Sequence, residues 1–234
     1  MDDFKKFFFL LIKPKIIALY AIDNNNQVLF EEESCLKTEI TLDNDYKILE
    51  DFLDENIFKF ESKFNLHIED INLIIDNNNF VTIDLSLIEN FKNKLRYNDN
   101  FSKNFSNIKY SVLKTNDNYK LIHMLINKFI VDKKSFSTLP KDESLKKSIF
   151  FEIKFICLKK DIFKNIQKIL SRYQISVKNI SYFNYVCSFE TEEKDNISIM
   201  ANKLAQGYNS KEIILIKKNP KNRGFFEKFF KFFS

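Results

Sequence analysis

The chain contains 234 residues with a formal net charge of +5, 44% hydrophobic and 29% charged side chains, and only two glycines. That length allows one large domain or two small ones, with enough apolar side chains for a core. Glycine-rich phosphate loops need glycine at several neighbouring positions, whereas Gly207 and Gly224 stand alone. Nucleotide-binding loops of the Walker, dinucleotide and actin types are therefore not expected, and the sequence predicts no cofactor.

The first predicted element is the apolar run at residues 7–12, which follows Lys5 and Lys6. A basic pair before an apolar run is typical of a signal peptide, but this run is short and no small-residue cleavage site follows it. We expect a strand or a packed arm at this position, and a protein of the cytoplasm.

Two hairpins, a third strand and a helix are predicted in the first part of the chain. Each hairpin surrounds a run of one Asp and three Asn residues, which tolerate left-handed turn geometry. Residues 36–42 alternate like a strand, and residues 46–64 place apolar side chains at helical spacing. The hairpin strands are residues 15–22 with 28–32, and residues 70–75 with 80–87.

The second half alternates short elements of both types. Asp161 precedes an amphipathic run and is the expected N-cap of its helix. Helices are predicted at residues 89–114, 161–173 and 193–207, and β-structure at residues 119–131, 148–158, 177–189 and 211–216, with a turn region at 138–142. Hairpins outnumber βαβ crossovers in this pattern, so we predict the α+β class: mainly antiparallel sheets with packed helices.

No catalytic or metal-binding set emerges from the reactive side chains. Cys35, Cys157 and Cys187 are widely spaced and odd in number, as expected of buried thiols in a reducing cytoplasm. His67 and His123 are distant from them in sequence, so no zinc site is predicted. The carboxylates Asp51, Asp54 and Glu55 are expected on the solvated side of a helix.

The most informative segment is the C-terminal one, residues 224–234. Six Phe residues fall within an arc of about 160° on a helical wheel, and the polar residues lie opposite. Residues 217–231 carry a net charge of +5, so the residues before them sum to zero. The predicted membrane-binding residues are Phe225, Phe226, Phe229, Phe230, Phe232, Phe233, Lys221, Arg223, Lys228 and Lys231.

This composition predicts an amphipathic helix that lies on an anionic membrane surface. Eleven residues extend about 16 Å, too short to span a bilayer. Residues 218–223, which include Pro220, are predicted to be a linker. The alternatives are that the Phe face packs on the protein's own core, or that it enters a groove of a partner protein. Because the rest of the chain is neutral, nucleic-acid binding is not expected.

Residues 121–189 resemble the small strand-helix-strand-strand subdomain, called SHS2 or 1C, of the bacterial cell-division protein FtsA. The matching positions are Ile122-His123-Met124-Leu125, Phe129-Ile130-Val131-Asp132, Pro140, Leu145, Ile162, Asn165, Ile169 and Tyr173-Gln174-Ile175-Ser176-Val177. Gln174 occupies a position where that family usually has glycine. FtsA proteins also end in a linker and a short amphipathic helix, similar to residues 222–234.

The resemblance implies a reduced relative that lacks the nucleotide-binding part. It implies a non-enzymatic peripheral protein at the cytoplasmic face of the inner membrane, which tethers or scaffolds division proteins. The implied partners are FtsZ or later divisome components, with self-association through the SHS2-like part, and His123 has a structural role in a strand. The alternative is a PilM-like adaptor of a pilus or secretion assembly, because PilM-type proteins share the SHS2 module.

The predicted organisation has four parts. Residues 1–115 form an N-terminal α+β unit, and residues 116–217 form the SHS2-like domain with its following helix and strand. Residues 218–223 are the linker, and residues 224–234 are the membrane-binding helix.

Overall fold

The computed structural model describes residues 5–42, 46–90, 97–131, 134–136, 148–189 and 196–214. The strands are β1 (Phe7–Lys13), β2 (Ile16–Ile22), β3 (Val28–Cys35), β4 (Asp70–Ile75), β5 (Phe80–Asn90), β6 (Tyr119–Val131), β7 (Lys134–Phe136), β8 (Ser148–Lys159) and β9 (Ser176–Tyr182). The helices are α1 (Lys47–Phe64), α2 (Tyr97–Thr115), α3 (Lys160–Arg172), α4 (Phe183–Cys187) and α5 (Ile197–Ala205). These elements confirm the predicted α+β class.

The first sheet has five strands in the order β3-β2-β1-β4-β9. β1, β2 and β3 form an antiparallel meander, whereas β4 runs parallel to β1 and β9 runs parallel to β4. The apolar N-terminal run is thus a central strand, and residues 8–12 are buried. A continuous apolar run is what a strand covered on both faces requires.

Helices cover both faces of this sheet. Leu10 and Ile12 point to the side of α1 and α3, where Phe60 and Ile166 are fully buried. Phe9 and Leu11 point to the other side, where α4 and α5 contribute Tyr185, Val186, Ala201 and Leu204. The alternation along β1 therefore divides the core into two layers.

The second sheet has four strands in the order β5-β8-β6-β7, all antiparallel. α2 packs on one face of it, with the Phe105 ring 5.6 Å from the Phe151 ring. The predicted hairpin of residues 70–75 with 80–87 is wrong, because β4 belongs to the first sheet and β5 to the second. The alternating pattern identifies both strands but not their partners.

Several element ends differ from the prediction. No strand forms at residues 36–42; β3 ends at Cys35. The helix predicted from residue 89 is described from Tyr97, and β5 extends to Asn90. β9 ends at Tyr182, and α4 begins at Phe183. Of the strand predicted at residues 211–216, the described part is a single bridge between Glu212 and Leu125.

Two local turn and cap predictions have different outcomes. The N-cap of α3 is Lys159, without a side-chain cap, and Asp161 lies in the first turn instead. Asn26 has a φ of 60°, which confirms left-handed geometry in the first Asn-rich turn.

Strand pairing connects the two halves of the chain. β9 pairs with β4 and β8 pairs with β5, so both pairings cross residue 115. Residues 121–189 therefore do not form a self-contained subdomain: β6 and β8 lie in the second sheet and β9 in the first. The strand-helix-strand-strand order is found in β5, α2, β6 and β8, with the short β7 before the last strand.

Within the part of the chain that is described, no helix has the length and apolar character needed to cross a bilayer. The predicted linker and membrane-binding helix, residues 218–234, lie outside the described residues.

Candidate functional site: the cleft between the two sheets

A cleft lies where β6 of the second sheet faces β9 of the first. Two cavities of about 250 and 210 Å³ adjoin there and share Leu121, Ile122, Asn179 and Ile180 as lining residues. We call this combined space the inter-sheet cleft. It follows from the topology, because β6 and β9 belong to different sheets and do not pair with each other.

Both walls of the inter-sheet cleft include strand edges that no other described strand covers. β9 is the last strand of its sheet and pairs only with β4. Within the described residues, positions 119–123 of β6 pair only with β8, since β7 reaches only residues 129–131. Free main-chain edges can bind an extended segment by adding a strand, while adjoining pockets accept alternate side chains.

The inter-sheet cleft has an apolar floor. Leu121 and Ile122 come from β6, and Ile180 comes from β9. Ile213 and Ile214, from the segment after α5, line one end of the cleft, and Phe163 of α3 lines the other end. Cavities of mixed polar and apolar lining beside free strand edges can accept the side chains of an extended peptide.

Three side chains attach residues 211–214 to this cleft, and we call them the clasp: His123, Tyr185 and Glu212. The Nδ1 atom of His123 lies 2.7 Å from Oε1 of Glu212, and the Tyr185 hydroxyl donates to Oε2 at 2.7 Å. The backbone N–H of Tyr182 donates to Nε2 of His123 at 3.1 Å. Because Nε2 accepts this bond, the proton of the neutral ring is assigned to Nδ1, which donates to Glu212.

The side chains of the clasp are mostly buried from solvent. Side-chain exposure is 6% for His123 and 12% for Glu212. The His123 ring lies 4.3 Å from the Tyr185 ring, centroid to centroid. Burial, followed by the hydrogen bond to Glu212, raises the pKa of Tyr185 well above its usual value, so its hydroxyl keeps its proton as a donor.

Main-chain bonds extend this attachment. The Ile126 N–H donates to the Lys211 carbonyl and the Ile213 N–H donates to the Met124 carbonyl, both at 2.8 Å. Residues 211–213 thus occupy a short stretch of the β6 edge next to the open one. The last described residue, Ile214, is 55% exposed and lines the inter-sheet cleft.

The clasp has the geometry of a structural network. Both ring nitrogens of His123 are engaged in hydrogen bonds, and both carboxylate oxygens of Glu212 accept one. A general base needs a free lone pair directed at a substrate. The His123 ring instead connects three parts of the molecule: β6, the end of β9 and residues 211–214.

The cleft walls also carry three lysines. Lys109 of α2, Lys120 of β6 and Lys178 of β9 line the two cavities, and among the described residues Glu212 is the one acid that lines them. Lys178 lies 3.4 Å from Asp70. Burial, and then the nearby charge of Lys109, lower the pKa of Lys120, whose ammonium group lies 4.2 Å from the Phe163 ring centroid.

The predicted membrane-binding residues are not brought together with this cleft by any described contact. Phe225, Phe226, Phe229, Phe230, Phe232, Phe233, Lys221, Arg223, Lys228 and Lys231 all lie outside the described residues. Their role stays a prediction. In the described ranges, His, Cys, Asp and Glu form no group that could hold a metal ion.

The prediction for the thiols needs partial correction, whereas that for the carboxylates is confirmed. Cys157 is buried, but Cys35 and Cys187 are exposed, because they lie on an edge strand and at the end of α4. Asp51 and Glu55 form exposed i,i+4 ion pairs, as expected of a solvated face. Asp54 is exposed as predicted, and it also accepts a hydrogen bond from the Tyr173 hydroxyl at 2.5 Å, which links α1 to the end of α3.

Sequence reasoning missed Glu212, Tyr185 and the lysines of the cleft. The available signal for Glu212 was a single acid beside the apolar run at residues 213–216. A buried acid requires partners, but the sequence does not say that His123, 89 positions away, is one of them.

With the geometry established, the molecule can be placed by class: it is an α+β protein of two sheets separated by a cleft. Its fold is similar to that of a structure described as the PilM-PilN type IV pilus biogenesis complex, with a TM-score of 0.52 at 5% identity. At that identity the likeness concerns the fold alone. The alignment covers 77% of this chain and 48% of the other, so the chain spans about half the length of that relative.

Two further structures align with TM-scores too low to establish a shared fold. The cytoplasmic domain of EpsL from the type II secretion system of Vibrio cholerae gives 0.39 at 8% identity, covering 81% of this chain and 61% of that one. A Bacteroides thetaiotaomicron protein described as having an actin-like ATPase fold gives 0.32 at 11% identity, with 80% and 57% covered. No family model and no curated protein matches the chain.

Proposed function

We propose that this protein is a peripheral adaptor of an envelope assembly of the pilus or secretion type. The inter-sheet cleft binds a segment of a partner protein at the cytoplasmic face of the membrane. Residues 224–234 attach the adaptor to anionic lipid. The protein is a binding module in this proposal and performs no catalysis.

The observation that carries the proposal is the pair of open strand edges beside two adjoining cavities. No described strand covers the outer edge of β9 or that of residues 119–123 of β6. An extended partner segment can satisfy them and bury Ile122 and Ile180 at the same time. The fold likeness to a pilus biogenesis complex supports the same class of assembly.

The proposal of membrane attachment rests on the sequence of residues 224–234. Complete burial of a Phe side chain contributes about 1.5–3 kcal/mol, and ordering each residue of a short helix costs about 1–2 kcal/mol. One copy therefore binds weakly. Several adaptors held in one assembly bind far more tightly, because the later attachments are intramolecular.

The proposal of a non-catalytic protein rests on the clasp. His123 and Glu212 are the side chains in the cleft best suited to acid-base chemistry, and each makes two hydrogen bonds within the protein. The pKa of Tyr185 is raised, so its hydroxyl is poorly suited to act as a nucleophile at neutral pH.

The second candidate function is an FtsA-type tether in cell division, with FtsZ or later division proteins as partners. One specific observation favours it. Gln174, at the position where the FtsA family usually has glycine, has a φ of 62°, the left-handed geometry that favours glycine. The C-terminal segment is compatible with both candidates.

Photo-crosslinking in cells tests the proposal. A photoreactive amino acid replaces Ile180 in the cleft of the full chain, and in a control it replaces Phe58, which is 76% exposed on α1. We expect a crosslink from position 180, but not from position 58, to a component of a pilus or secretion system. A crosslink to a division protein, together with a midcell band of a fluorescent fusion, would support the second candidate. Absence of any crosslink specific to position 180 would refute the docking role.

A further inference from the structure

The inter-sheet cleft has an unbalanced positive charge. Three lysines line it, against the single carboxylate of Glu212. That carboxylate is already held by His123 and Tyr185. Lys178 is partly neutralised by Asp70, at 3.4 Å. The remaining positive charges, Lys109 and Lys120, are not offset by the acidic residue of the cleft.

Lys109 and Lys120 lack an anionic partner within the residues that the structure describes. Neither forms an ion pair with a described carboxylate, and Lys120 makes only its contact with the Phe163 ring. The pKa of Lys120 is lowered first by burial of its ammonium group and then by the nearby charge of Lys109. Both side chains are half-buried, so the repulsion is only partly screened by water. Lys109 lines one of the two adjoining cavities and Lys120 lines the other, so an anionic segment that extends through both would offset both charges.

The shape of the surroundings indicates which kind of anion fits. Lys120 lies within the open edge of β6, and the adjoining apolar residues Leu121 and Ile122 line the same cavity. A small anion would satisfy the lysines but leave the apolar floor and the strand edges exposed. An extended peptide that alternates acidic and apolar side chains would satisfy all three, because alternate residues of a strand face opposite sides.

We propose that the inter-sheet cleft selects an acidic, extended segment of its partner protein, with Lys109 and Lys120 as the residues that determine this charge preference. This inference rests on the proposed docking function of the cleft. Phe163 holds the Lys120 ammonium group over its ring, at 4.2 Å, so the charge is positioned before the partner arrives. Such pre-organisation reduces the entropy lost on binding.

Selection from a random displayed peptide library tests the charge preference of the cleft whatever the identity of the partner. The full chain, its double variant Lys109→Glu with Lys120→Glu, and a control variant Lys168→Glu serve as baits. Lys168 is exposed on α3 and does not line the cleft. We expect peptides enriched in Asp and Glu from the wild type and the control, and peptides enriched in Lys and Arg from the double variant.

One selected acidic peptide is then measured by fluorescence anisotropy. Each single charge reversal at Lys109 or Lys120 should weaken its binding about tenfold or more, whereas Lys168→Glu should leave it unchanged. Added salt should weaken binding to the wild type more than to either single variant. Thermal unfolding of each variant checks that the fold is retained.

Several outcomes would overturn the inference. Selected peptides with no acidic enrichment, or the same peptides from the double variant, would show that charge does not decide binding. If the selected peptides nevertheless compete with one another for the full chain and crosslink to position 180, the docking function stands and only the charge preference fails. Binding of anionic phospholipid vesicles through Lys109 and Lys120, in a variant lacking residues 224–234, would identify a lipid ligand instead.

Discussion

His123 and Glu212 lie 2.7 Å apart in the structure although 89 positions separate them in the chain. Replacing His123 by Ala removes one of two donors to a carboxylate that is 12% exposed. A hydrogen bond to a charged group contributes about 1.5–3 kcal/mol, so the free energy of unfolding should fall by about 2–3 kcal/mol in urea titration. His67 offers a matched control, because its bond to Glu61 is equally short but its side chain is 47% exposed. His67→Ala should cost less than about 1 kcal/mol, and equal losses would contradict the structural role of the clasp.

The conformation of Gln174 predicts a stabilising substitution. Its φ of 62° is unfavourable for a side chain with a Cβ atom. Gln174→Gly should therefore raise the free energy of unfolding by about 0.5–1 kcal/mol, offset in part by the greater freedom of glycine in the unfolded chain. Gln167, exposed within α3, is the matched control, and Gln167→Gly should destabilise by about 1 kcal/mol. Destabilisation by both variants would contradict the left-handed conformation at position 174.

The three thiols should react with Ellman's reagent in a defined order. Cys35 is exposed. Cys187 is also exposed, but the partial burial of its side chain raises its pKa. Burial raises the pKa of Cys157 to about 11 from its ordinary 9.0. Since the thiolate is the reactive form, we expect Cys35 to react first, Cys187 next and Cys157 only on unfolding.

The same shift gives a pH dependence with a definite sign. Ionisation of Cys157 is harder in the folded state, so its contribution to stability should decrease as the pH rises above 9.0. A Cys157→Ser variant should show a smaller decrease in chemical denaturation between neutral and alkaline pH. Rapid modification of Cys157 in the native protein would contradict its burial.

Removal of residues 224–234 tests membrane attachment directly. The full chain should co-sediment with vesicles of anionic phospholipid and less with zwitterionic ones, because both the Phe face and the basic residues contribute. The truncated chain should remain in the supernatant. Phe58→Glu, which changes an exposed Phe of α1, should leave sedimentation unchanged. Equal pelleting of the truncated and full chains would refute the anchor.

Local sequence patterns are sufficient for most of the individual elements. The spacing of Leu49, Phe52, Leu53, Ile57 and Phe60 predicts α1, and all five are buried on one side of it. The alternation and apolar content of β6 and β8 likewise predict strands. Periodicity reports which side of an element is buried, and that information is present in every short window.

Pairing between distant elements could not be predicted in the same way. The Asn-rich turn at residues 76–79 predicts a hairpin, yet it passes from one sheet to the other. Nothing in residues 70–87 distinguishes a hairpin turn from a connection between two sheets. A turn sequence constrains local geometry and not the partner of the next strand. The clasp could not be predicted for the same reason, since Glu212 and Tyr185 acquire their roles only when the end of β9 contacts residues 211–214.

The strand order of the first sheet has a consequence for folding during synthesis. β4 is complete at Ile75, but its neighbour β9 spans Ser176–Tyr182. During translation the apolar edge of β4 therefore remains unpaired while about a hundred more residues are made. At about 5–20 residues per second this takes several seconds or more. Pairings of such long separation also fold slowly and leave edges open to aggregation. Newly made chains should consequently depend on chaperones until Tyr182 has left the ribosome.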